Sequence, residues 1–142
     1  MPLISIIINC FNGQKFLRKA IDSVYQQDFD DWEIIFWDNA STDDSSLIAN
    51  SYDNKLKYYS SKTTIPLGKA RNKALKLAKG KYIAFLDCDD EFLVGKLKNQ
   101  VFEMESNDYA LTYSGATIID EFDKKIRILK VKNNSGYIFG NL

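Results

Sequence analysis

Three carboxylates directly follow an apolar stretch in the middle of the chain. The stretch runs from Tyr82 to Leu86, and Asp87, Asp89 and Asp90 come within the next four residues. Like charges repel at such a terminus, so each carboxylate must stay hydrated or bind a cation. Oxygen ligands at the carboxyl end of a strand suit Mg²⁺ or Mn²⁺ shared with a substrate phosphate. The sequence therefore predicts a diphosphate–metal site, although Asp90 alone could simply cap a helix.

Two further apolar stretches also end in groups that could bind a ligand. The first ends near Phe11 and Asn12, and the second ends at Asp38. Phe11 could offer an aromatic face to a base, and Asp38 an acceptor for a ring N–H. Taken singly, a residue such as Phe11 is more often part of the core, and Asp38 with Asn39 is more often part of a helix-capping turn. Their coincidence with the acidic triplet favours a nucleotide lying across three strand ends.

A basic segment, Gly68–Asn72, precedes the acidic strand and should open a helix. Backbone N–H groups at a helix start attract anions, and an Arg in the first turns adds a planar donor fork. Arg71 could therefore clamp a diphosphate while Asp89 holds the metal, or it could be an ordinary surface residue. The chain contains neither GxxxxGK[ST] nor GxGxxG, so P-loop and dinucleotide-binding proteins are not supported.

The elements that must position these residues alternate between strand and helix. Apolar runs predict strands at Leu3–Ile8, Trp32–Trp37, Leu56–Tyr59 and Tyr82–Leu86. Apolar residues at helical spacing predict helices from Lys15 to about Gln27, from the 38–44 turn to about Tyr52, and over Lys69–Lys79 with Gly80 as its stop. Strands separated by helices imply right-handed parallel crossovers and an α/β/α arrangement of three layers, with a mainly parallel central sheet covered on both faces.

The last quarter of the chain has a different pattern. It predicts a helix over Leu97–Glu105, strands over Ala110–Ile119 and Lys125–Lys132, and a turn at 133–136. The acidic residues around Asp120 are expected to form a polar turn between the two strands.

Composition excludes several functional classes. The chain has 142 residues, 19 basic and 19 acidic side chains, no histidine and two cysteines. A net charge of zero argues against a broad nucleic-acid footprint. Without histidine, Ser-His-Asp catalysis and imidazole zinc sites are excluded within this chain. The two cysteines form no CxxC pair and suit reduced cytosolic thiols. The apolar start is a strand rather than a signal peptide, and no run is long enough for a membrane span.

Four ordered segments resemble family 2 glycosyltransferases, the large inverting group with the GT-A (Rossmann-like) fold. They are Ser5–Asn12, Glu33–Asp43, Gly68–Leu75 and Gly80–Asp90. The resemblance is dense over residues 3–95 and weaker beyond. It implies that the chain is a single GT-A domain over residues 1–142, carrying the donor-binding part and incomplete on the C-terminal, acceptor side.

The resemblance also implies roles for individual residues. Phe11 is expected against the nucleobase, Asp38 on a base N–H, and Arg71 near the base and diphosphate. Asp87 is expected to reach the ribose, and Asp89 to bind Mn²⁺ or Mg²⁺ with the diphosphate. The full set of expected donor-binding residues is Cys10, Phe11, Asn12, Asp38, Ser41, Arg71, Asp87 and Cys88, with Asp89 as the metal ligand.

The same resemblance implies an enzyme that transfers a sugar from a nucleotide-sugar, usually a UDP-sugar, to a saccharide or lipid-linked acceptor with inversion. The general base of this family usually lies about a hundred residues beyond the metal site, and is therefore expected after Leu142. The fragment is then expected to bind donor without full catalysis. A cytoplasmic location at the membrane face, peripheral membrane contact and self-association through exposed apolar surface also follow as expectations.

Two other functions stay open. A nucleotidyltransferase would share the acidic metal site, but it usually carries a Gly-rich, basic N-terminal signature of which Asn12–Lys15 is a poor version. A non-catalytic nucleotide- or protein-binding module of the same fold would use the sheet edge or exposed aromatic residues for a partner, and a loss of metal-dependent nucleotide binding would favour this function.

Overall fold

The computed structural model describes residues 1–130, which form two compact units, Met1–Asn99 and the residues from Gln100 onward. The elements in chain order are β1 (Ile4–Cys10), α1 (Gln14–Tyr25), β2 (Trp32–Asp38), α2 (Ser45–Ala49), β3 (Leu56–Ser60), α3 (Leu67–Leu75), β4 (Tyr82–Asp87), α4 (Lys96–Asn107), β5 (Ala116–Ile119) and β6 (Lys125–Leu129). The alternation of strand and helix over the first unit is as predicted.

The first unit is built on a four-stranded parallel sheet with the strand order β3-β2-β1-β4. The chain moves outward from β1 to β3 and then returns to place β4 on the other side of β1. The strand order therefore reverses between β1 and β4, and ligands of open α/β sheets bind outside the carboxyl ends of the strands at such a reversal. The predicted α/β class and mainly parallel sheet are confirmed.

Helices cover the two faces of the central strands. Ile7, Ile35 and Trp37 point to one face and pack on α3 through Ala70 and Ala74. Alternate residues of the same strands must point to the other face. Trp32 is one of these residues. The ring of Tyr25, at the end of α1, meets the Trp32 ring edge-on with the centroids 4.9 Å apart, so α1 lies on that face. The result is the predicted three-layer arrangement.

The sheet is less completely covered at β4 than predicted. Every residue of β1 and β2 is buried. In contrast, Ile83 and Phe85 are 40% and 50% exposed. Within the described residues β4 is an edge strand of the sheet. The side chains of Ile83 and Phe85 therefore have a neighbouring strand, β1, on one side only.

Helix α3 ends earlier than predicted, and Gly80 is not its stop. The helix ends at Leu75, and after the capping residue Lys76 the backbone N–H groups of Leu77 and Ala78 bond three residues back, to Ala74 O and Leu75 O. Gly80 instead lies against β1. A Cβ there would come within 2.4 Å of the backbone nitrogen of Ser5. The glycine is therefore required by a close approach of two backbones.

A buried polar cluster ties this segment to the amino end of the sheet. The Ser5 hydroxyl donates to Glu33 Oε1 at 2.7 Å. It also accepts from the N–H groups of Lys79 and Gly80, at 3.1 and 2.8 Å, and Lys79 N–H lies 3.0 Å from Glu33 Oε1. These bonds draw the chain onto the sheet, so it leaves the helix before Lys79.

The second unit contains a short antiparallel hairpin of β5 and β6. Asp120 accepts backbone hydrogen bonds from Phe122 and Lys124, which confirms the predicted polar turn. The predicted strand from Ala110 is too long, because β5 begins only at Ala116. Its partner β6 has five residues, and within residues 1–130 no strand is paired with the positions before Ala116. The predicted turn at 133–136 and the end of the last predicted strand lie outside the described residues.

Among residues 1–130, every helix is too short or too polar to cross a bilayer.

Candidate functional site

The carboxyl ends of three neighbouring strands bring the predicted site residues side by side. Cys10 on β1 is in register with Asp38 on β2, and Asn9 is in register with Asp87 on β4. The central strand of this group is β1, at the point where the strand order reverses. The residues predicted from three separate stretches of sequence thus lie on one edge of the sheet.

Asp38 is buried and held from two sides. It is 3% exposed. Its Oδ1 accepts from the Ser41 backbone N–H at 2.8 Å, and its Oδ2 accepts from the Tyr58 hydroxyl at 2.7 Å. Burial, then the Asp38 carboxylate, raises the pKa of Tyr58 to about 12, so the phenol keeps its proton at neutral pH. The carboxylate is therefore fixed in position before any ligand arrives.

The loops after β1 and β2 are locked together by reciprocal hydrogen bonds. The Asn12 N–H donates to Ser41 Oγ at 3.0 Å, and the Thr42 N–H donates to Asn12 Oδ1 at 2.8 Å. Asn12 adopts a left-handed backbone conformation, with φ of 53°, which asparagine tolerates better than most residues. The side chains of Asn12 and Ser41, both predicted to contact donor, therefore also shape the loops.

A second pair of bonds links the start of α1 to the loop before α2. The Gln14 N–H donates to Asp43 Oδ2 at 2.9 Å, and the Asp44 N–H donates to Gln14 Oε1 at 2.8 Å. Partial burial acts to raise the pKa of Asp43, but bonds from Ser45 and Gln14 outweigh it and leave that pKa lowered. The Ser45 hydroxyl also accepts from the Gly13 N–H at 3.0 Å. The loops that follow β1 and β2 are thus held together by hydrogen bonds on both sides of Gly13.

Arg71 reaches the acidic strand end from the first turns of α3. Its Nη2 lies 2.6 Å from Asp87 Oδ1, and both side chains are at least a third exposed. Its guanidinium also lies 5.8 Å from the centre of the Phe85 ring. An exposed ion pair of this kind contributes little to stability. The main effect of the pair is to hold the Arg71 guanidinium, a planar group with several N–H donors, beside the carboxyl end of β4.

The remaining carboxylates crowd at the same place. Asp89 is exposed, and burial followed by the charges of Asp89 and Asp87 raises the pKa of Asp90. In the part of the chain the structure describes, no three His, Cys, Asp or Glu side chains are placed to hold a metal by themselves. The donor set fits a Mg²⁺ or Mn²⁺ ion bound by one carboxylate and completed by diphosphate oxygens and waters.

Phe11 lies beside these groups with its side chain turned to solvent. It is 51% exposed, directly after the end of β1. A large aromatic side chain gains nothing from water, so its exposure at this edge leaves a ring face free for a planar ligand. The alternative prediction, that Phe11 belongs to the core, is wrong.

The two cysteines meet between β1 and β4. Both are free thiols, and a side-chain hydrogen bond joins them. The hydrogen bond from Cys88 lowers the pKa of Cys10 to about 7, against the opposing effect of burial. The same bond, together with burial, raises the pKa of Cys88. The pair therefore shares a proton, with the negative charge favoured on Cys10.

Sequence reasoning missed three residues that organise the site. Tyr58 orients Asp38, and Asp43 and Ser45 hold the start of α1. A tyrosine in a strand is typical of a core residue, so nothing in the sequence distinguished Tyr58. Asp43 belongs to the polar run 38–44, whose richness in capping residues was the available signal.

Solved structures share this fold. The chain superposes on Staphylococcus aureus TarS (residues 1–349, in complex with UDP-GlcNAc) with a TM-score of 0.71 and 27% identity, covering 84% of this chain and 40% of that one. It also superposes on the mannosyltransferase PcManGT from Pyrobaculum calidifontis, in complex with GDP-Man and Mn²⁺, with a TM-score of 0.69 and 21% identity. That match covers 84% of this chain and 36% of PcManGT, and at this identity it shows the fold alone.

The chain is also similar to curated proteins. It is 37% identical over 123 residues to the Escherichia coli UDP-Glc:alpha-D-GlcNAc-diphosphoundecaprenol beta-1,3-glucosyltransferase WfaP, a match covering 86% of this chain and 49% of WfaP. The chain thus spans about half the length of that relative. Residues 5–135 match the family described as Glycosyl transferase family 2. On this evidence, the chain belongs to glycosyl transferase family 2.

Proposed function

We propose that the protein binds the nucleotide-sugar donor of a metal-dependent, inverting glycosyltransferase. The observation that carries the proposal is the convergence of Asp38, the Arg71–Asp87 pair and Asp89 on one sheet edge, where the strand order reverses. A nucleoside diphosphate needs a base acceptor, a cationic donor for phosphate and an acidic metal ligand. These residues supply all three within one site.

Each residue has a distinct part in this proposal. The Phe11 ring stacks on the base, and the buried Asp38 carboxylate accepts a base N–H. Asp87 reaches the ribose, and Arg71 contributes donors to the diphosphate. Cys10, Asn12, Ser41 and Cys88 line the nucleotide. Asp89 would hold Mn²⁺ or Mg²⁺, which supplies Lewis-acid stabilisation of the leaving diphosphate.

The nature of the substrates is inferred from relatives. WfaP carries UDP-Glc and a diphosphoundecaprenol acceptor in its name, and TarS was solved with UDP-GlcNAc. We therefore infer a UDP-sugar donor and a saccharide or lipid-linked acceptor. A lipid-linked acceptor would bring the protein to the cytoplasmic face of the membrane. The part proposed here for the described residues is donor binding.

Calorimetric titration of UDP into the protein, with and without Mn²⁺, tests this proposal. We expect metal-dependent binding that weakens about 10-fold or more in the Asp89→Ala variant, since a contact to a charged group contributes about 1.5–3 kcal/mol. Asp31→Ala is the matched control, because Asp31 is an exposed carboxylate before β2, at the opposite end of the strands.

Two results would count against the proposal. Folded protein that binds neither UDP nor GDP with Mn²⁺ present would show that these residues do not form a donor site. Equal losses in Asp89→Ala and Asp31→Ala would show that Asp89 acts only through the net charge of the protein.

A further inference from the structure

We propose that Cys10 and Cys88 form a reversible intramolecular disulfide, which makes the sheet edge an oxidation-sensitive modification site. The formation of the disulfide stands on the geometry of the thiol pair alone. Its effect on ligand binding rests on the proposed function, because both cysteines lie among the expected donor-binding residues.

The strand register brings the two cysteines next to one another. Asn9 and Asp87 are partners in the parallel pairing of β1 and β4, and each cysteine is the next residue along its chain. Adjacent strands lie about 4.8 Å apart. At the last paired residues that spacing falls within the roughly 4.4–6.8 Å Cα separation that disulfides require, and the two cysteines follow one residue later.

Gly13 shows that the two sulfur atoms already share one small space. A Cβ at that position would lie 2.8 Å from Cys10 Sγ and 2.9 Å from Cys88 Sγ. Both sulfurs therefore approach a single point left open by the glycine.

The two thiols differ in a way that suits stepwise oxidation. Cys10 is 2% exposed, whereas Cys88 is only partly buried. The accessible sulfur can meet a small oxidant, and the buried one can then close the bond.

The co-reactant we name is a low-molecular-weight disulfide, such as oxidised glutathione. A thiolate of the pair attacks one sulfur of that disulfide, which forms a mixed disulfide and releases one small thiol. The second cysteine then attacks the mixed disulfide, forms the Cys10–Cys88 bond and releases the second small thiol. Both cysteines are oxidised, and the small disulfide is reduced to two thiols that take up the protons.

The bond would change the site because Cys88 lies between Asp87 and Asp89. Drawing its sulfur into a covalent link to β1 fixes the backbone that carries both carboxylates. It also removes the thiol hydrogen bonds that now join Cys10 to Cys88 and to Ser45. Nucleotide binding is therefore expected to weaken on oxidation and to recover on reduction.

The test is intact-mass and peptide mapping of protein equilibrated in buffers of reduced and oxidised glutathione, followed by alkylation under denaturing conditions. The chain contains two cysteines, so the assignment is unambiguous. We expect a monomer that has lost two hydrogen masses, resists alkylation and yields a linked Cys10–Cys88 peptide. Thiols that remain alkylatable in oxidising buffer, or that form only glutathione adducts or links between chains, would overturn the proposal.

UDP titrations of oxidised and reduced protein separate this idea from the proposed function. We expect about 10-fold weaker binding after oxidation, the equivalent of losing one charge-assisted contact. In the double variant Cys10→Ser/Cys88→Ser, which can form neither the disulfide nor a glutathione adduct, the ratio between oxidising and reducing buffers should be 1. If the disulfide forms on oxidation but the reduced protein does not bind UDP, only the proposed donor site is refuted. Disulfide formation with unchanged UDP affinity would refute the coupling.

Discussion

The Tyr58 hydroxyl offers a sharp test of how the site is built, because the phenol holds a buried carboxylate. It donates to Asp38 Oδ2 at 2.7 Å, and its ring stacks on Phe36 with centroids 5.8 Å apart. Tyr58→Phe keeps that stacking and removes only the donor. Any loss can therefore be attributed to the support of Asp38.

The structure sets the size of the expected effect. Asp38 is 3% exposed, so water cannot easily replace the lost donor. Leaving a buried acceptor without its partner costs about 1–3 kcal/mol. We expect the free energy of unfolding of Tyr58→Phe to fall by that amount. We also expect UDP to bind several-fold more weakly, because the carboxylate loses its fixed orientation.

The pH dependence of stability provides a second check on the environment of Tyr58. Burial, followed by the hydrogen bond to Asp38, raises the pKa of Tyr58 from 10.0 to about 12 in the folded state. A raised pKa stabilises the fold fully below pH 10, and this contribution is lost as pH rises towards 12. The difference in unfolding free energy between wild type and Tyr58→Phe should therefore shrink as the pH rises above 10.

Tyr59→Phe is the matched control, on the next residue of the same strand. Tyr59 packs on the α3 side of the sheet, and within residues 1–130 its hydroxyl has no hydrogen-bond partner. Urea unfolding can be followed by the fluorescence of the buried Trp32 and Trp37. Equal effects of the two substitutions, or a Tyr58→Phe difference that persists unchanged to pH 12, would refute the reasoning.

Two further substitutions and one titration follow from the same structure. Gly80→Ala should lower the free energy of unfolding by about 1–3 kcal/mol or more, because the added Cβ would lie 2.4 Å from Ser5 N. Gly68→Ala should instead stabilise α3 by up to about 1 kcal/mol, because no atom lies within 4 Å of its added Cβ. Urea unfolding of both variants measures these changes. A change of the same sign in the two variants would contradict the prediction. Tyr25 and Tyr52 also donate to carboxylates, at 2.7 and 2.6 Å, and burial raises the pKa of each. Absorbance at alkaline pH should show these phenols ionising well above pH 10; ionisation near pH 10 in folded protein would refute the contacts.

The predictions from sequence succeeded where a local pattern carried the information. Unbroken apolar runs predicted the four strands of the first unit to within two residues at each end. Their separation by helices predicted a parallel sheet, and carboxylates directly after a strand predicted a charged edge. Predictions failed where an element depends on a distant partner. Helix α3 stops at Leu75 because Ser5 and Glu33 capture the backbone at Lys79 and Gly80.

The sequence by itself determined the alternation of strands and helices, the polar groups at each strand end and, through four ordered segments, the family. These properties follow from side-chain periodicity and local spacing, which are written along the chain. Only the tertiary structure decided the strand order, the pairing of Cys10 with Cys88 and the support of Asp38 by Tyr58. Each of these joins residues far apart in sequence, and their contact exists only because parallel strands place their carboxyl ends at one edge.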